Sequence, residues 1–243
     1  MQKEGTTLCW LGHSCFLIEK DGYRIVLDPY ADGTVSGYGP LRVDADQVLC
    51  SHQHDDHNAV SCVTLRPDRD QKTSPFTITQ LESWHDEAQG RKRGPNTIRI
   101  IDDGTYRIAH MGDIGCMPSP EQKEQLRGLD VCLVPVGGFF TMKPELVHKL
   151  MEELAPTVVV PMHYRFKQNG RSYGMMVIAP VDHYLKRCSS AIRYNRNYLT
   201  FPDDLKPQTA VLTLGSTGKE IKKKIKTDKT KPASFRRTEG ENK

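Results

Sequence analysis

Residues 50–59 read CSHQHDDHNA, which places three imidazoles and two carboxylates in ten positions. They follow directly on DQVLCSH (46–52), an aliphatic run that reads as a strand entering the cluster. On a strand, residues i and i+2 share a face, so His52 and His54 point together at one cation. The chain then turns, and Asp56 and His57 are positioned for a second cation nearby. Imidazole with carboxylate suits zinc, iron or manganese. The rival reading is a polar loop with coincidental histidines. The spacing His52-x-His54-x-Asp56-His57 arises by chance in roughly one such chain in a thousand, which favours a metal site.

Upstream of the cluster, TTLCWLG (6–12), SCFLIEK (14–20) and YRIVLDPY (23–30) read as strands, with Asp21-Gly22 as a hairpin turn. Downstream come PFTITQLES and NTIRIIDDGTYRIAHMG, the latter a hairpin about Asp103-Gly104. From about residue 110 the rhythm changes. SPEQKEQLRGL has a Ser cap, early acids and a Gly stop, the signature of a short helix. DVCLVPVGG is a buried strand. KPELVHKLMEELAP carries Val147, Leu150, Met151 and Leu154 at helical spacing and stops at Pro156. TVVVPMHY is a strand ending at His163, APVDHYLKRCSSA a helix, and TAVLTLG a last strand. Strands followed by αβ alternation predict one continuous α/β domain over residues 1–215.

The 243 residues carry a net charge of +4, but the basic excess belongs to residues 216–243, which hold eight Lys and two Arg against three Glu and one Asp. The body is left at −2, so it lacks the basic character that would favour nucleic acid. The tail is polar and poor in large apolar groups, the composition of a disordered segment. The seven cysteines are odd in number and form no CxxC pair, which predicts reduced thiols and a cytoplasmic location. The N-terminal stretch has no signal-peptide pattern, and no apolar run is long enough to span a bilayer. The sequence leaves self-association open.

His-x-His-x-Asp-His after a buried strand resembles the signature of the metallo-β-lactamase superfamily. VLDP, SWHDEAQG, AHMGDIG and VVPMHY follow the order of that family's other motifs. The resemblance covers residues 6–214 and implies an αβ/βα four-layer sandwich: two mixed β-sheets face to face, with helices on the outer faces. It implies His52, His54 and His85 around one metal, Asp56, His57 and His163 around another, and Asp113 between them. Asp28 would be a buried acid bonded to the metal loop. WLGHSCFLIE, HDEAQGRKRGPNTIRI, HMGDIG, GGFFTM and PMHY are similar to a compact branch of metal-dependent hydrolases related to ascorbate-6-phosphate lactonase.

The implied cofactors are two divalent transition metals, zinc first, with manganese or iron as alternatives. The implied activity is hydrolysis of a small ester, lactone or phosphodiester by a metal-activated hydroxide, with Asp56 orienting the nucleophile. The alternatives are a nuclease of the same fold and a non-hydrolytic binding or redox member. Around this set, His110 reads as either a supporting donor or a packed histidine. His13 fits a structural turn slightly better than a place at the site's mouth. Arg93 and Asn96, in the RGPN turn, and Tyr164, after His163, are candidate substrate contacts. Asp55 points to solvent, and His148 and His183 read as surface or packing groups.

Overall fold

The structure, a computed structural model, describes residues 5–166 and 176–214. The tail expected at 216–243 lies outside these residues. Two sheets face each other. The first is built from β1 (Thr6–Gly12), β2 (Cys15–Lys20), β3 (Tyr23–Leu27), β5 (Gln47–Leu49) and β13 (Tyr198–Phe201), in the order β13-β1-β2-β3-β5. The second contains β7 (Thr77–Trp84), β8 (Pro95–Asp102), β9 (Arg107–His110), β10 (Val131–Pro135), β11 (Val158–Met162), β12 (Ala191–Arg193) and β14 (Gln208–Val211). Its order is β12-β14-β11-β10-β9-β8-β7. A small ribbon pairs β4 (Val43–Ala45) with β6 (Val63–Leu65).

Alternation along the first three strands explains the sandwich. Leu8, Trp10, Phe16, Ile18, Ile25 and Leu27 point into the core shared with the second sheet. Cys9, Cys15, Leu17 and Val26 point the other way, as a period of two requires. Among the described residues that outer face is covered by Tyr30, Val35, Leu41, Val63 and Ile178. On the second sheet β10 and β11 are buried at every position, the pattern of parallel strands covered on both faces.

Three α-helices lie wholly within the described residues and all are short: α1 (Pro120–Gln125), α2 (Pro144–Leu154) and α3 (Val181–Leu185). Ser119 caps α1 in a capping box with Gln122. Helix α2 buries Pro144, Val147, Leu150, Met151 and Leu154 and ends at Ala155 in the left-handed conformation. Helix α3 is shorter than the expected 179–191. After Leu185 the chain tightens through Arg187 N–H to Tyr184 O and Cys188 N–H to Leu185 O, which are i→i−3 bonds. All seven cysteines are free. No helix among the described residues is long and apolar enough to cross a membrane.

Both expected hairpins are present. Lys20 pairs with Tyr23 across Asp21 and Gly22, both at positive φ, and Asp102 pairs with Arg107 across the 103–106 loop. Strand β13 was not legible. NYLTF is short and flanked by polar residues, and its role is long-range, pairing antiparallel with β1 as Leu8 faces Leu199. The expected strand through His52 is also corrected. Strand β5 stops at Leu49, and residues 51–57 form bends and turns.

The topology orients the site. Strands β1, β3 and β5 run the same way in one sheet. So do β7, β9, β10 and β11 in the other. His13, Asp28, the 51–57 loop, His85, Asp113 and His163 all come just after the carboxyl ends of these strands, where α/β sheets gather functional loops.

The packing of α2 can be tested on one helix with one chemistry. Leu150 is 0% exposed and Leu146 is 42% exposed. Leu150→Ala should lower the unfolding free energy by about 2–5 kcal/mol, and Leu146→Ala by no more than about 0.5 kcal/mol. Urea titration followed by circular dichroism measures both, and equal losses would contradict the assigned buried face.

Candidate metal centre

Asp28 organises the cluster. It follows β3 with φ 45° and is 1% exposed. Its carboxylate accepts Ser51 N–H at 2.6 Å and Ser51 Oγ–H at 2.6 Å. It also lies 2.7 Å from His57 Nδ1, which donates to it. These bonds pull the chain out of β5 and bend it into the 51–57 turn. Burial alone would raise the Asp28 carboxyl, but nearby His110 and the bonds from His57 and Ser51 hold it below the usual range.

The same bonds choose the tautomers. Ser51 Oγ gives its proton to Asp28, so at 2.9 Å it accepts from His52 Nδ1. His52 Nε2 is therefore a bare lone pair. It is buried and has no hydrogen-bond partner among the described residues. His57 likewise donates from Nδ1 and turns Nε2 toward the cluster. This carboxylate-to-imidazole support is how metal-binding histidines are oriented.

Asp113 lies at the centre. Its Oδ2 is 3.1 Å from His163 Nε2, 3.2 Å from His85 Nε2 and 3.3 Å from His57 Nε2. Its Oδ1 is buried and has no partner among the described residues. Two groups of candidate ligands flank it. His52, His54 and His85 present ligand atoms within 4.8 Å of one another, and so do His13, Asp56, His57 and His163. Charge within the cluster is tightly coupled. Burial would raise the Asp113 carboxyl, but His163 and His57 hold it well below its ordinary value. Burial would lower His57, but Asp113 and Asp28 push it well above. His52, pressed by burial and by His57, falls to about 3. Neutral imidazole is the form that ligates a cation. Converging Nε2 atoms, unpaired lone pairs and a shared carboxylate make this donor set fit divalent transition metals.

The other sequence candidates separate clearly. Asn96, a candidate substrate contact, is 1% exposed and turned inward. Its Nδ2 donates to Ser83 Oγ and Met111 O, while its Oδ1 accepts the Asp113 N–H at 2.9 Å. Gly112, just before Asp113, has φ +56°, and a Cβ there would fall 2.2 Å from Asn96 Oδ1. Asn96 thus sets the backbone of Asp113. Tyr164 is 4% exposed and stacks on Trp10, with ring centroids 5.9 Å apart. It lines a different cavity from the histidine cluster. His110 is fully buried and donates to Ser14 O at 2.8 Å while accepting Gly112 N–H at 3.1 Å. It joins the β1–β2 turn to the Asp113 loop without entering the cluster. Asp55 is exposed, as is His183, and His148 lies 3.4 Å from Glu152 on α2.

Arg93 does line the cluster's cavity. That cavity of about 320 Å³ is bounded by His54, Asp56, His85, Arg93, Asp113, Phe140 and His163.

Two residues carry more than the sequence indicated. His13 reads as a turn residue, and it is one, with φ 51° and a carbonyl that accepts Trp10 Nε1–H. Its ring, however, is 1% exposed, with Nε2 3.2 Å from Asp56 Oδ2 and the ring centroid 4.2 Å from that of His163. Burial and His163 lower this imidazole to about 4, so it is neutral and donates Nε2–H to the carboxylate. Burial would raise Asp56, but the bond from His13 and the charge of His57 bring it below the usual range. The only sequence hint was a histidine directly after an apolar strand. Asp86 was also missed. Its carboxylate is 1% exposed and accepts the backbone N–H groups of Ala88, Gly90, Lys92 and Arg93, which shapes the loop after His85. An Asp opening a Gly-containing polar loop is the available signal.

Comparison with known proteins agrees with this architecture. Residues 7–163 match the family model described as the β-lactamase superfamily domain. A protein of Thermococcus kodakarensis named a metal-dependent hydrolase is 33% identical over 187 residues, 64% of this chain and 83% of the relative. One of Carboxydothermus hydrogenoformans, with the same description, is 25% identical over 215 residues, 70% of this chain and 94% of the relative. A crystal structure from Thermotoga maritima, titled as a member of the metallo-β-lactamase superfamily, superposes with a TM-score of 0.65 at 29% identity. That match covers 86% of this chain and 100% of the other. With two facing sheets, a histidine–aspartate cluster at their carboxyl ends and a family match over most of the described chain, the protein belongs to the metallo-β-lactamase superfamily.

Proposed function

We propose that the chain is a metal-dependent hydrolase of small esters, lactones or phosphodiesters. In this reading His52, His54 and His85 hold one divalent transition metal, and Asp56, His57 and His163 hold a second, with Asp113 shared between them. Zinc is the first choice, manganese and iron the alternatives. The carrying observation is that Asp113 Oδ2 lies 3.1–3.3 Å from Nε2 of His163, His85 and His57, residues drawn from both groups. The relatives' description as metal-dependent hydrolases supports the same reading. Bound there, such cations would lower the pKa of water toward neutrality and polarise a carbonyl or phosphoryl oxygen.

The chain's own groups set the geometry for that chemistry. Asp28 fixes the proton on His57 Nδ1 and, through Ser51, on His52 Nδ1. Both Nε2 atoms therefore face the site. Asp56, held by His13 on one oxygen, would orient the attacking water. Asn96 holds the Asp113 backbone so that its carboxylate stays central. Phe140 and Arg93 close the side of the cavity. No side-chain nucleophile is required. Cys116 is the thiol nearest Asp113 in sequence, and burial raises it above its ordinary value, so it is not activated. The nuclease alternative rests on the basic tail, which lies outside the described residues.

Purified protein reconstituted with zinc should hold close to two metals per chain by elemental analysis. It should also hydrolyse at least one of a 4-nitrophenyl ester, a simple lactone and bis(4-nitrophenyl) phosphate. Asp113→Ala should reduce the metal content and abolish that turnover, and unchanged turnover would refute the assignment. Cleavage of short RNA alone, persisting after removal of residues 216–243, would favour the nuclease.

His13→Ala should weaken binding of one of the two metal equivalents by about 10–100-fold, the usual effect of losing a supporting partner. Competition against a chromophoric chelator measures this. Equal affinities in wild type and variant would confine His13 to the turn.

A further inference from the structure

The loop after His85 contains three consecutive cations, Arg91, Lys92 and Arg93, and the structure gives each a different environment. Lys92 pairs with Glu87. Arg91 turns its Nε–H back to Ala88 O at 3.1 Å. Arg93 lines the metal-cluster cavity, and among the described residues its guanidinium forms no ion pair. Its backbone is fixed, because Arg93 N–H donates to the buried Asp86 carboxylate at 2.8 Å. Its head group lies over the Phe140 ring, 5.7 Å from the centroid. Phe140 is itself held in place, as Phe140 N–H donates to Gly138 O and Met142 N–H to Ile114 O, just past Asp113. Two anchored loops thus meet over the cavity and present one planar cation to it.

The cavity's own acids do not neutralise this charge. Asp113 is surrounded by His57, His85 and His163, and Asp56 is held by His13. An arginine with a fixed backbone and an aromatic beneath it is preorganised for bidentate contact with an oxyanion. We infer that Arg93 binds an anionic group of the substrate, a phosphoryl or carboxylate group, beside the bond that is cleaved. This deepens the hydrolase reading and rests on it. It narrows the substrate from any small ester to one carrying a negative charge adjacent to the scissile centre. Arg93 is the specificity-determining residue, and the histidine–aspartate cluster performs the cleavage.

The test compares matched substrates on zinc-loaded protein, 4-nitrophenyl butyrate (neutral) and mono-4-nitrophenyl succinate (carboxylate). The wild type should prefer the anionic ester. Arg93→Gln should reduce the ratio of kcat/KM, anionic over neutral, by about 30-fold, as expected for losing a hydrogen-bonded charge contact. Metal content and melting temperature should stay unchanged, and Arg93→Lys should recover part of the ratio. A ratio unchanged by Arg93→Gln, or a wild type that prefers the neutral ester, overturns the inference. Calorimetric titration with inorganic phosphate and with succinate separates the two oxyanion sources and needs no turnover. Arg93→Gln should weaken at least one by 10-fold or more, and the one affected identifies the group recognised. If neither ester is cleaved, the hydrolase reading has lost support, and the titration alone decides Arg93: equal affinities in wild type and variant reject it.

Discussion

Asp28 is an ionised carboxylate with almost no exposed surface. Removing such a group from water costs several kcal/mol unless its oxygens are satisfied. Here they take three hydrogen bonds, from Ser51 N, Ser51 Oγ and His57 Nδ1. Those partners lie at both ends of the 51–57 turn, so the demand of one buried charge shapes the whole loop. The shape in turn commits Nδ1 of both His52 and His57 to donating and turns their Nε2 atoms toward the cluster. Remove the carboxylate and the bonds that aim the Nε2 atoms of His52 and His57 at one point are lost.

A second constraint recurs around the site. His13, Asp28 and His163 are not glycines, yet each has φ near +50°, and Gly112 has φ +56°. Each lies one or two residues past the end of a strand, at β1, β3, β11 and β9 respectively. A left-handed residue there turns the chain out of the sheet at once and keeps the following side chains at the strand ends. Non-glycine residues in this region carry strain of order 1–3 kcal/mol and persist only where surrounding packing enforces them. The core of the two sheets supplies that enforcement, with Leu8, Phe16, Ile25, Leu133 and Met162 all at or near zero exposure. The strain collects where three strand ends meet the cluster, as expected when a rigid scaffold positions reactive groups.

Around the ligand candidates stands a layer of buried polar residues whose side chains hold neighbouring backbone or carboxylate groups. Asn96 holds Asp113, His110 ties Gly112 to Ser14, His13 holds Asp56, and Asp86 shapes the loop that carries Arg93. Each leaves its neighbour's functional atoms facing the cavity. The histidines and carboxylates then set one another's ionisation. Asp113 and Asp28 raise His57, while burial presses His52 and His13 down toward the neutral form.

By itself the sequence determined the α/β order, both hairpins, the amphipathic face of α2 and the crowding of ligand-type residues at 52–57. These are local: a period of two or 3.6, an Asp-Gly turn, or a spacing within one loop carries them. His85, Asp113 and His163 were named because their motifs resemble a known family, since nothing in their separation along the chain says that they meet. Only the tertiary structure decided that His13 reaches Asp56, that Asn96 serves Asp113 and that Tyr164 faces another cavity. It also decided that β13 closes the first sheet against β1, and that of the three consecutive cations at 91–93 only Arg93 lines the site's cavity. These depend on the direction of side chains past strand ends and on pairings as distant as Leu8 with Leu199. Such contacts form only once the two sheets have packed, and no local propensity records them.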